Sequence, residues 1–158
     1  MSGNQAQRSK YRERALSWIG SLGAGTLDLD NIIANCSDGE FKYRILPRPL
    51  EPAALNSKAA YKEFLAPLAH SLYETKTIVH EVVEQAGPNP KIVIHASSDA
   101  KSETGARYTN QYMFLLHFRD EADGAVKISS ITEFVDSHYT LGFFAAEKER
   151  KEKQVAQV

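Results

Sequence analysis

Apolar residues recur in this chain at two different periods. Over roughly the first seventy residues they return every three or four positions, and beyond that they alternate or run together. From Ser9 onward, Tyr11, Ala15, Trp18, Ile19 and Leu22 predict an amphipathic helix that Gly23 and Gly25 interrupt. Leu29, Ile32 and Ile33, behind Asp28 and Asp30, predict a shorter helix closing at the turn Cys36 to Gly39. Phe41 to Leu46 alternates and reads as a short strand, followed by a stiff connection through Pro47, Arg48, Pro49 and Pro52. Asn56 or Ser57 can cap a helix whose apolar members are Ala60, Tyr61, Phe64, Leu65 and Leu68. Pro67 is expected to end or kink it, because proline lacks the backbone donor.

The segments Thr75 to Val83, Lys91 to Ser97, Ala106 to Phe118 and Val126 to Val135 are rich in β-branched and aromatic residues. Short polar turns join most of them, which predicts an antiparallel meander. Beyond Asp136 come an aromatic patch and a charged helical tail in which 147 to 153 mixes signs as a solvated face does. Helices followed by a meander make an α+β layout, with the helices covering one sheet face. In Tyr108 to Phe118 both alternating sets are apolar: Tyr108, Tyr112, Phe114, Leu116 and Phe118 on one side, Met113 and Leu115 on the other. A sheet wetted on one side would alternate apolar with polar, so the second face is expected to meet a second subunit in a homodimer.

The last two strands carry the candidate chemistry. A hairpin turning at Asp120 to Gly124, with Arg119 near Lys127, extends in regular register to set Asn110 opposite Asp136 and Met113 opposite Glu133. Tyr108, Asn110, Tyr112, Thr132, Phe134 and Asp136 would then share one surface, unless a bulge or one-residue slip reverses the facing. A carboxylate among aromatic rings loses hydration and titrates closer to neutrality, which suits general acid/base work by Asp136. The competing reading makes Asp136 the cap of a helix beginning near Ser137. Glu133, on the opposite parity, is expected to pair with a basic neighbour or a dimer partner.

His80, His95 and His117 lie in strands, and the short turn after Glu84 brings His80 beside His95. His95 is the best candidate partner for Asp136, ahead of His117. No histidine has metal-ligand spacing, so no metal is expected, and no phosphate-binding loop or nucleophile elbow occurs, which leaves nucleotide binding and triad hydrolysis without support.

Composition narrows the classes further. With 158 residues, 42% hydrophobic, the chain is expected to form one domain, with a flexible stretch at residues 1–8 and a charged tail at 147–158. Nineteen basic and 20 acidic side chains leave a net charge of −1, too little to draw in nucleic acid or anionic lipid. The single cysteine, Cys36, excludes an internal disulfide and reads as a small buried hydrophobe. The absence of a signal-like leader or membrane-length apolar run predicts a cytoplasmic protein.

The order of three features, Tyr43 to Pro47, the Asn110-Gln111-Tyr112 strand, and the run Ile128, Ile131, Glu133, Phe134, Asp136, resembles the SnoaL-like branch of the nuclear-transport-factor-2-like (NTF2-like) superfamily. In particular it is similar to small fungal proteins of polyketide and meroterpenoid pathways, over about Tyr11 to Phe144. The resemblance implies a cone-shaped α+β barrel, in which helices pack into the concave face of a strongly curved, mainly antiparallel sheet and leave a cavity. It also implies cofactor-free cyclase, isomerase or dehydratase chemistry on a small apolar oxygenated molecule, and gives Asp136 the place of the family acid relative to Ile128. Relatives with Asn-Glu-Tyr where this chain has Asn110-Gln111-Tyr112, and a longer loop at 120–125, leave the histidine unassigned. Two functions are carried forward. One is an enzyme with Asp136 and His95 catalytic and Asn110, Tyr108, Tyr112 and Phe134 binding substrate. The other is a noncatalytic ligand-binding or dimeric interaction module, since a fold does not fix a function.

Overall fold

The computed structural model describes residues 9–50 and 55–156. The Pro52 end of the expected stiff connection and the expected flexible stretch at residues 1–8 lie outside these. Helix α1 (Lys10–Ser21) starts where Ser9 Oγ accepts the Arg12 N–H at 3.1 Å, and α2 (Leu29–Ala34) where Asp28 accepts from Asn31 at 3.1 Å. Strand β1 (Lys42–Leu46) follows, then a single 3₁₀ turn, Arg48–Leu50. Of the two candidate caps, Ser57 is the one that opens α3 (Lys58–Ser71), accepting the Ala60 N–H at 3.1 Å. Pro67 neither ends nor shortens α3, which continues to Ser71; one missing donor is tolerated where the helix packs along the core.

The chain passes directly from α3 into β2 (Leu72–Gln85), then β3 (Lys91–Ser102), β4 (Arg107–Asp120) and β5 (Val126–Val135). Strands β2 and β3 are longer than the sequence pattern predicts, because hydroxyl-bearing and charged residues continue the ladder beyond the apolar runs. The sheet order is β1-β5-β4-β3-β2, with β2 to β5 an antiparallel meander and β1 added parallel to β5. The result is a mixed α+β fold built on a curved sheet that does not close on itself. The aromatic patch and charged tail are one helix, α4 (Ser137–Val155).

Trp18 of α1 lies edge-on to Phe114 at 5.1 Å between centroids, and with Ile92, Ile94, Leu116, Ile128 and Ile131 it forms the fully buried core between helices and sheet. Burial of each such side chain is worth about 1.5–3 kcal/mol. A second cluster, Leu72, Ala100 and Tyr108 against Tyr139, Phe143 and Phe144, docks α4 on the sheet beyond the core. Gly23 at the end of α1 sits so close to β2 that a Cβ there would meet Thr77 N at 2.3 Å. Glycine at that position lets the α1 terminus touch the strand, and Gly25 then exchanges two backbone hydrogen bonds with Thr75.

Between β4 and β5 the register departs from the expected one. Arg119 pairs with Lys127 and Phe118 with Ile128, as a simple hairpin requires, but His117 then pairs with Ser130, leaving Ser129 as an extra residue. Beyond this bulge Phe114 faces Glu133, Met113 faces Phe134 and Tyr112 faces Val135. The expected pairs Asn110–Asp136 and Met113–Glu133 do not form. One inserted residue exchanges the faces of everything beyond it, because strand side chains alternate with a period of two.

Candidate active site

The bulge turns Glu133 inward. It projects from β5 onto the helix-covered face, beside Ile131 and Val135, into a cavity of ≈340 Å³. Apolar and aromatic side chains form most of the wall: Ile19 from α1 and Leu22 at its C-cap, Tyr61, Phe64, Leu65 and Leu68 from α3, Phe144 from α4, and Tyr43, Ile45, Tyr108, Tyr112 and Phe114 from the sheet. No lysine, arginine or histidine lines it, and Glu133 is its one carboxyl group among the described residues.

Tyr43, on the neighbouring parallel strand, donates its hydroxyl to Glu133 Oε2 at 2.7 Å. Stacking of Tyr43 on Tyr61, at 4.5 Å between centroids, holds that donor in place. Among the described residues Glu133 has no ion pair, so burial dominates: it pushes the carboxyl up to about 7, against the opposing pull of the Tyr43 hydrogen bond. Burial likewise raises the Tyr43, Tyr108 and Tyr112 phenols above their usual range, which keeps them protonated donors at neutral pH.

A second polar group lines the wall across β3 and β4. Tyr112 and Ser98 hydroxyls lie 3.0 Å apart, and Tyr108 and Tyr112 hydroxyls 3.2 Å apart. Asn110 Nδ2 donates to Tyr108 Oη at 2.9 Å and to Thr140 Oγ1 at 2.8 Å, while its Oδ1 accepts the Gln111 N–H at 2.8 Å. Tyr108 and Tyr112 therefore face the cavity as the sequence places them. Asn110 is buried behind them, its amide spent on fixing Tyr108 and α4 rather than lining the hollow.

The remaining sequence candidates lie elsewhere. Asp136 is exposed and caps α4, its Oδ1 accepting the Tyr139 N–H at 3.0 Å. Phe134, 54% exposed, lies on the outer face of the sheet opposite Met113. His95 occupies that outer face between the inward Ile94 and Ala96; its ring is 4.8 Å from that of His80, as the short β2–β3 turn predicts. His80 Nε2 is 2.8 Å from Ser97 Oγ. His117, also outward between Leu116 and Phe118, has its imidazole pushed down by burial and by Lys91. The structure thus brings Tyr108 and Tyr112 together with Glu133, sets Asn110, Phe134 and Asp136 with Tyr112 around a second depression of ≈650 Å³, and leaves His95 outside both. Regular pairing would turn Glu133 outward and away from Tyr43; its sequence signal is an acid inside the apolar run Ile131 to Val135. No group of three or more metal-ligating side chains occurs among the described residues.

No protein-family model matches the sequence, and a search of curated proteins returns no match. Solved structures do match in fold. A pinacolase, BvnE, from Penicillium brevicompactum superposes with a TM-score of 0.70 at 24% identity, covering 92% of this chain and 96% of its own. AusH from Aspergillus nidulans gives 0.68 at 22% identity, covering 83% and 86%. A putative SnoaL-like polyketide cyclase from Jannaschia sp. CCS1 gives 0.64 at 17%, covering 85% and 94%.

Proposed function

We propose that this chain, whose fold is that of the NTF2-like superfamily, is a cofactor-independent acid/base enzyme, an isomerase, cyclase or dehydratase, in which Glu133 moves a proton on a small uncharged oxygenated substrate. The observation that carries this reading is a carboxyl group held at about 7 in an apolar cavity, without an ion pair and oriented by one phenol. Near neutrality such a group exists in both protonation states, so it can remove a proton as carboxylate and return it as acid. Tyr43 keeps one oxygen engaged and so fixes the direction of the carboxyl group. The apolar and aromatic wall lowers the local dielectric and so strengthens each of these interactions.

A pinacolase and a putative SnoaL-like polyketide cyclase among solved proteins of this fold support the reading. They also make a polyketide or meroterpenoid intermediate the substrate class to try first. Dimerisation through the outer sheet face and a cytoplasmic location belong to the same proposal. The outer face supports the first, since Ile78, Val83, Met113 and Phe134 are each about half exposed there.

Glu133→Gln keeps the shape and the Tyr43 hydrogen bond while removing the titratable group. Assayed on cyclisable polyketide and terpenoid intermediates, it is expected to lower kcat by roughly 10²–10⁴-fold. The wild-type profile of kcat/KM against pH should bend near 7. A Glu133→Gln protein with wild-type turnover would reject the mechanism, and tight binding without turnover in the wild type would favour the noncatalytic module.

A further inference from the structure

The hydroxyls on the wall beside Glu133 hold more hydrogens than their bonds to one another use. Thr140 Oγ1 gives its own hydrogen to Asp136 O at 2.7 Å, so the Asn110 atom facing it must be the donor nitrogen; the Gln111 N–H fixes Oδ1 at the other end. Asn110 therefore donates to Tyr108 and takes no hydrogen from it. The cluster Tyr108, Tyr112 and Ser98 has three hydroxyl hydrogens and two hydrogen bonds among its members. These two bonds use two of the three hydrogens; the third is free to turn to Thr140 or into the cavity, which all three side chains border.

Two more hydroxyls lie alongside. Thr77 pairs with Ser98 across β2 and β3, so the two share a face, and Thr77 borders the cavity with no hydrogen-bond partner among the described residues. Thr75, two residues before it and 4% exposed, has a buried Oγ1 without a partner. Unmade hydrogen bonds in such a place are costly, and a ligand oxygen that accepts them relieves the cost.

We propose that Thr77, Ser98 and Tyr112 form a hydrogen-bond-donating subsite that holds a carbonyl oxygen of an uncharged substrate whose reacting carbon lies toward Glu133. The surplus on the wall consists of donors, which selects a carbonyl over a hydrocarbon. The lack of a cationic lining residue among those described selects against carboxylate and phosphate ligands. With Glu133 as base, the same donors would face the oxygen on which negative charge gathers when a proton leaves the adjacent carbon. The substrate class thus rests on the acid/base reading of Glu133, whereas the donor subsite can be tested by binding alone.

The test uses two neutral probes of nearly the same shape, 2-acetylnaphthalene and 2-isopropenylnaphthalene, titrated into the full chain, with the bound ketone's carbonyl stretch read by infrared difference spectroscopy. The wild type should prefer the ketone by about tenfold and shift its stretch to lower wavenumber. Thr77→Val and the double variant Ser98→Ala/Tyr112→Phe should reduce that preference and the shift while leaving hydrocarbon affinity within about twofold, and Thr77→Ser should restore both. Thermal unfolding checks that each variant folds; the isosteric Thr77→Val carries the test if the double variant does not. Equal affinities for the two probes, binding of neither, or an unshifted stretch in the wild type would overturn the subsite, as would variants that keep the full preference. Loss of turnover in Glu133→Gln alongside equal probe affinities would remove the subsite and leave the acid/base mechanism. Ketone preference with undiminished Glu133→Gln turnover would do the reverse.

Discussion

Glu133 couples chemistry to stability at the level of one side chain. Its ordinary value is 4.5 and the folded protein raises it to about 7, so the native state holds this proton more tightly than the unfolded chain does. Below about 4.5 the group is neutral in both states and burial costs little. As pH climbs through 7 the folded protein must carry a buried charge, and its contribution to stability is lost. The difference amounts to about 3 kcal/mol between the two plateaus. Urea unfolding at pH 4.5 and pH 8 should show Glu133→Gln gaining on the wild type by that order at the higher pH and matching it at the lower. An equal difference at both pH values would mean that the carboxyl group is not held as described.

Among the elements, the bulge in β5 and the start of α4 decide which acid meets the cavity. Asp136 sits where the strand has ended, and its carboxylate is engaged with the Tyr139 N–H. Asp136→Ala should lower the unfolding free energy by about 1 kcal/mol, and Asp136→Asn, which still caps, by much less. Both should retain turnover; loss of activity in Asp136→Asn would restore that residue to the mechanism. The element types were legible because period, caps and turns agree along the chain, as at Ser9, Asp28 and Ser57. Tyr108 and Tyr112 could be placed on the inner face because β4 alternates without interruption beyond His117. Glu133 could not, since Ser129 is an unremarkable residue in a strand and nothing in its type announces that it will be passed over by the ladder. The parallel attachment of β1, which brings Tyr43 to Glu133, is likewise a long-range pairing that local pattern does not encode.

At the scale of the whole molecule, the sheet has one face filled by helices and another bearing Ile78, Val83, Met113 and Phe134 in the open. Apolar side chains spread over three strands in this way are better suited to a partner surface than to water. Light scattering after size exclusion should give twice the mass of 17.6 kDa. Met113→Asp/Phe134→Asp should give a monomer with the cavity intact, and a monomeric wild type would dismiss the dimer. At the margin of the same sheet, one side of the 14-residue strand β2 has no strand neighbour among the described residues apart from the brief Gly25–Thr75 bridge. Irregularities between Tyr73 and Lys76 and between Val79 and Glu81, together with Glu74 at φ 50°, break the even row of amide and carbonyl groups there. A foreign strand laid along that border finds no continuous template to zip onto, so copies of this chain are steered away from fibrillar growth.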